Sequence, residues 1–228
     1  MRSRSFEVGR TLLGILMLHT RFPRPSGDIG NPASWRMPVR YRTVPGASPQ
    51  RVVRERSAGL LPPFIDGALA LVDEGARAIT TSCGFLALLQ PELAAALPVP
   101  VWSSSLLMLR ELAQQRPGVI TVDADSLSID HLRAVDAPVA TPIEGLLPGG
   151  HLHGVLLGDR PALDADRACQ EVVATARRLQ QRCPDLGCLL FECTNLPPYA
   201  DAVRRATGLP VHDITTFVHQ RWHALATA

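Results

Sequence analysis

The sequence predicts an α/β protein of two pseudo-symmetric lobes, each a four-stranded, mainly parallel sheet flanked by helices, with a cleft between them. Two observations predict it. Short apolar runs alternate with longer segments of helical period, as in parallel sheets whose strands are joined by crossover helices. The two halves also share a motif at one spacing. In the first, Ala78–Thr81 runs into Ser82-Cys83-Gly84, and Pro100-Val101 follows; in the second, Leu189–Phe191 runs into Glu192-Cys193-Thr194, and Pro210-Val211 follows. The step from cysteine to proline is 17 residues in both. Gly14-Ile15-Leu16 and Gly118-Val119-Ile120 open the two copies.

The elements follow in order from these periods. The apolar run Leu12–Leu18, bounded by His19-Thr20-Arg21, is the first strand, and Val39–Val44 the second. A helix over Ser57–Glu74 leads to the strand Ala78–Thr81, and a helix over Phe85–Leu97 leads to Val99–Trp102. The second lobe has strands at Val119–Val122, Val139–Pro142, Cys188–Phe191 and Val211–Asp213. Its helices are Leu106–Gln115, Ser128–Val135, Ala165–Arg182, Pro198–Thr207 and Thr216–Thr227. Residues 1–104 form the first lobe and 105–215 the second, with the last helix, 216–228, expected to pack back on the first. His19–Met37 carries Pro, Gly, Asn and Arg without periodicity, a long loop of the kind that often carries function.

Composition excludes several classes. The chain has 228 residues, 46% hydrophobic and 19% charged, with a formal charge of +2, so no basic footprint for nucleic acid or an anionic membrane is expected. It contains no lysine, which excludes pyridoxal phosphate and Schiff-base chemistry. Its five cysteines are an odd number, poor arithmetic for a disulfide framework, and point to a reducing, cytoplasmic setting. The basic start Met1–Arg10 precedes the apolar run Thr11–Leu18, which is read as a strand and not a signal peptide because no small-residue cleavage site follows. No run approaches the ~20 apolar residues of a membrane span.

The cysteines carry the chemistry. In parallel sheets, ligands gather beyond the carboxyl ends of the strands. Cys83 and Cys193 both stand there, each followed by a predicted helix whose positive end is expected to lower a thiol pKa toward neutrality. Related by a pseudo-twofold axis, the two sulfurs face each other across the cleft. One can remove a proton from a carbon beside a carboxylate or carbonyl, and the other can return it from the opposite face. Ser82, Thr194 and the backbone N–H groups of Gly84 and Asn195 are candidate donors to the carboxyl oxygens of an enolate.

Thr80-Thr81-Ser82-Cys83-Gly84-Phe85, Phe191-Glu192-Cys193-Thr194-Asn195-Leu196-Pro197 and Gly208-Leu209-Pro210-Val211-His212-Asp213 resemble the aspartate/glutamate racemase superfamily, which includes hydantoin racemases, maleate isomerases and arylmalonate decarboxylases. The resemblance covers essentially the whole chain. It implies a cofactor-independent racemase or isomerase with Cys83 and Cys193 as the two proton-transfer groups, acting on a small carboxylate such as aspartate or glutamate, and a possible homodimer. Three positions depart from the family pattern: Gly84 replaces the asparagine of amino-acid racemases, Asn195 replaces a histidine, and His19-Thr20-Arg21 replaces Asp-Ser-Gly. A decarboxylase or maleate-type isomerase of the same superfamily, and a non-catalytic small-molecule-binding module, are the alternatives.

Arg21, with Thr20 and Asn31 of the Gly27–Asn31 turn, is the candidate for holding a substrate carboxylate. Arg40 and Arg42 fit a solvated strand edge equally well, and Ser103-Ser104-Ser105 fits a helix N-cap. His151 and His153 read as loop residues beside Pro148-Gly149-Gly150, and no metal site is expected. Cys169, Cys183 and Cys188 read as structural.

Overall fold

A computed structural model describes residues 12–227. The basic start Met1–Arg10, and with it the reading of the N-terminus, lies outside the described residues. The first sheet has the order β2-β1-β3-β4, from β1 Leu12–Met17, β2 Val39–Thr43, β3 Ala76–Thr81 and β4 Val101–Trp102. The second has the order β6-β5-β7-β8, from β5 Pro117–Thr121, β6 Ile143–Gly145, β7 Cys188–Phe191 and β8 Val211–His212. Every pairing is parallel, so the two sheets share one connectivity.

The repeated opening glycines mark equivalent close approaches. A Cβ at Gly14 would meet Ile79 Cδ1 at 2.6 Å, and one at Gly118 would meet Leu179 Cδ2 at 2.9 Å. The central strands are buried on both faces, with Leu13, Ile15, Leu16, Ile79, Val119, Ile120 and Cys188–Phe191 at 0% exposure. That pattern is expected when helices cover both sides of a parallel sheet.

The helices are α1 Leu61–Asp73, α2 Gln90–Ala96, α3 Leu109–Leu112, α4 Ile129–Arg133, α5 His151–Leu157, α6 Ala165–Arg182, α7 Ala200–Thr207 and α8 Ile214–Thr227. Five expectations change. The strand placed at Val139–Pro142 is a turn, because Pro138 accepts from Thr141 N–H and leaves Val139 half exposed; the strand is β6. β4 shortens to two residues because Pro98 and Pro100 have no N–H to give a ladder. α1 starts at Leu61, after Arg56, Ser57 and Gly59 adopt left-handed φ. His151 and His153 lie on a helix, α5, whose first N–H groups are accepted by the Glu171 carboxylate at 2.7 and 2.8 Å. The helices expected at Phe85 and Pro198 begin as 3-10 turns, Gly84–Leu89 and Pro197–Tyr199.

α8 lies against elements of the first half of the chain. Phe217 meets the Trp102 ring edge at 6.5 Å, His219 lies 5.4 Å from Trp35, and Arg221 pairs with Glu111. Arg40 and Arg42, on the edge strand β2, both pair with Glu74. Among the described residues no helix is long and apolar enough to cross a membrane.

Candidate active site

β3 and β7 end at one place. Ser82 N–H donates to Leu16 O, and Glu192 N–H to Ile120 O, so each ladder extends to the residue before its cysteine. Thr80 and Thr81 donate their hydroxyls to Trp102 O and Ser103 O at 2.7 Å, which stiffens the end of β3. Cys83 and Cys193 then line one cavity together with Ser82, Gly84, Phe85, Thr194, Asn195, Phe22, Arg24, Leu156 and Leu157 among others. Its free volume is about 30 Å³, room for about two waters. A larger groove of about 340 Å³ lies at the opposite, amino end of β5, beside Pro117. It contains neither strand-end thiol, and the carboxyl ends of the strands are where parallel sheets bind ligands.

The lobes are sewn together around the cysteines. Thr194 Oγ1 donates to Ser82 O at 2.7 Å, Ser105 Oγ to Phe191 O at 2.7 Å, and Asn195 Nδ2 to Asp28 Oδ2 at 2.7 Å. Ser104 accepts from Leu106 N–H, the N-cap role expected of the serine run. A pseudo-symmetric crossing follows: the residue before each cysteine touches the residue after the other, Ser82 with Thr194 and Glu192 with Gly84.

The expected easing of the thiol pKa by helix ends is not what the structure shows. Burial pushes Cys83 up to about 12 and Cys193 well above its ordinary value, and the Glu192 carboxylate raises both further. The N–H groups of Phe85 and Asn195 that point at the two sulfurs offset only part of this. The reason is structural. Cys83 precedes a 3-10 turn, and the α-helix after Cys193 begins only at Ala200, so little dipole reaches either sulfur.

Six of the nine residues expected in the site, Ser82, Cys83, Gly84, Cys193, Thr194 and Asn195, line the cavity; Thr20, Arg21 and Asn31 do not. Arg21 turns outward, 71% exposed, onto Asp159 at 3.1 Å. Asn31 caps the turn Pro32–Ser34 and donates to Arg24 O. Thr194 and Asn195 spend their side chains on the seam, and the N–H of Asn195 faces a sulfur and not an open donor position.

The structure adds Arg24, three residues beyond Arg21. It is the one charged side chain lining the cavity among the described residues, seated 4.7 Å over the Phe22 ring. Asp28, 1% exposed, accepts from Arg24 at 2.8 Å and from Asn195, and Thr20 accepts from Arg24 at 2.9 Å. Asp28 thereby ties the arginine to the residue that bonds Cys193, since Cys193 Sγ donates to Asn195 Oδ1 at 3.7 Å. No group of three metal-ligating side chains occurs among the described residues.

Two matched parallel lobes with a strand-end cysteine from each define the class: this is the aspartate/glutamate racemase fold. A glutamate racemase isoform of Bacillus anthracis is similar at 12% identity over 95% of this chain and 83% of that one, with a TM-score of 0.59. An unliganded arylmalonate decarboxylase is similar at 15% identity over 88% and 86%, with a TM-score of 0.54. No protein-family model matches the chain. Sequence relatives place it more narrowly. A dimethylsulfoniopropionate lyase of Durusdinium is 31% identical over 220 residues, 91% of this chain and 72% of that protein. Dimethylsulfoniopropionate lyase 7 of Emiliania huxleyi is 32% identical over 90% of this chain and 64% of its own length. The chain belongs to the dimethylsulfoniopropionate lyase family. It spans between 44% and 72% of the length of the curated relatives it matches.

Proposed function

We propose that this chain cleaves dimethylsulfoniopropionate, or a close β-sulfonio carboxylate, by cofactor-independent β-elimination. The observation that carries the reading is the shared cavity, in which two strand-end thiols lie beside a single arginine. In the proposed reaction Arg24 receives the carboxylate and the Cys193 thiolate removes a proton from the adjacent carbon. The C–H electron pair becomes the new C=C bond, the C–S bond breaks, and dimethyl sulfide leaves with its electrons, giving acrylate. A sulfonium leaves as a neutral thioether and needs no acid to assist it, so one base suffices. Cys193 is assigned that role because the chain Arg24–Asp28–Asn195 ends on it. The guanidinium keeps further N–H donors beyond the two spent on Asp28 and Thr20.

The elevated thiol pKa values fit a charged substrate. A cation within ~4–6 Å favours a thiolate, so the sulfonium itself promotes ionisation of the base that attacks beside it. The amino-acid racemase reading remains the second one, favoured by the thiol at Cys83, which elimination does not require. Proton NMR in D₂O separates the two. With dimethylsulfoniopropionate, aspartate, glutamate, a hydantoin and maleate offered separately, acrylate and dimethyl sulfide signals should form from the first, with no α-deuterium entering the amino acids. Exchange into an amino acid without acrylate formation would transfer the assignment to racemisation.

A further inference from the structure

Glu192 has no place in the reaction above, yet its position is the least expected in the site. It is fully buried at the end of β7. Thr121 Oγ1 donates to its Oε2 at 2.6 Å, while Oε1 is buried with no hydrogen-bond partner. A Cβ built on Gly84 would lie 2.2 Å from that Oε1 and 2.2 Å from the Glu192 carbonyl oxygen. Glu192 thus crosses from the second lobe into the space a side chain at residue 84 would need. The Gly84 departure from the family pattern and the presence of a glutamate before Cys193 are one feature: the carboxyl and the missing side chain are complementary.

We propose that Glu192 is a positioning residue, a buried carboxyl that seats the Cys83–Gly84 turn against Cys193 and sets the ionisation of both thiols through its own charge. This rests on the reading of the two cysteines as the proton-transfer groups, and it does not depend on the substrate. Burial without a cationic partner holds the Glu192 proton, moving its pKa up to about 8, opposed only by the Thr121 bond. Glu192 is therefore neutral at neutral pH. Once ionised, it raises both thiols, so carboxylate and thiolate exclude each other. The other charged groups facing the thiols are Arg24, which lowers Cys83, and Asp28, which raises Cys193. Glu192 is the group that faces both.

Peptide-resolved iodoacetamide labelling against pH tests this without substrate. In Glu192→Gln, a permanently neutral isostere, Cys83 and Cys193 should label about tenfold faster near pH 9 than in the wild type, the effect of about one pKa unit. Cys183, in the groove at the opposite, amino end of β5, should label equally in both. Unchanged midpoints for Cys83 and Cys193 would overturn the proposal, whereas failure of the substrate assignment leaves this measurement untouched. If the variant does not fold, infrared difference spectra of the wild type decide. A carboxylic-acid C=O band should persist above pH 6, vanish near pH 8 and shift when the thiols are alkylated. Its absence above pH 6, or indifference to alkylation, would equally overturn the claim.

Discussion

At the scale of single residues, the site inverts the usual way of activating a cysteine. Neither the nearby helix ends nor Arg24, which eases Cys83 slightly, offsets the burial that dominates both thiols and holds them protonated. A base whose pKa is raised becomes competent as pH increases, so kcat/KM, which reports the free enzyme, should still be climbing at about pH 9, less steeply once Glu192 ionises near pH 8. If the substrate is the proposed sulfonium, its charge should lower the thiol pKa, and the corresponding rise in kcat should fall at lower pH. A single shared inflection in both profiles would remove the substrate-assisted part of the account. The cysteines were legible in the sequence because a repeated strand-turn unit frames them. Arg24 and Glu192 were not. Nothing local separates Arg24 from Arg21. What sends Arg21 outward is Asp159, 138 residues away, and what leaves Arg24 inside is the Phe22 face and Asp28.

At the scale of elements, the long loop after β1 forms one wall of the cavity, through Phe22 and Arg24. Asp159, at the end of α5, accepts from the backbone N–H of Arg21 and Phe22 and pairs with the Arg21 side chain. Those bonds keep its carboxyl below its ordinary pKa and hold Phe22, Leu156 and Leu157 over the cavity. With about 30 Å³ free, the cavity must widen to admit any carboxylate larger than water. Asp159→Ala should therefore speed labelling of Cys193 roughly fivefold, the population change made by ~1 kcal/mol. Equal labelling rates would show that the loop does not limit entry. Strands with unbroken apolar runs, such as Cys188–Phe191, and the capped helix Ala165–Arg182 could be read directly from periodicity. α5 could not, because its Gly149-Gly150 entry imitates a loop and its N-terminus is completed by Glu171 from the next helix, α6.

At the scale of the whole molecule, two copies of one parallel unit bring two strand ends together, and differences between the copies make the site. The second copy contributes Glu192 and Thr194 where the first has Ser82 and Gly84, and the long loop of the first carries Arg24 and Asp28 across to Asn195. Inter-lobe pairs at Arg54–Asp123 and Arg56–Asp130 flank the same seam. The doubled architecture was legible from the 17-residue step, while the asymmetry of the site lies in contacts between the copies. Dimethyl sulfide released into the headspace over dimethylsulfoniopropionate, measured for the wild type, Cys83→Ser and Cys193→Ser, tests the central claim most directly. The account predicts release by the wild type, a loss of about 10²–10⁴-fold in Cys193→Ser and a smaller loss in Cys83→Ser. No release by the folded wild-type protein, or full release by Cys193→Ser, would contradict it.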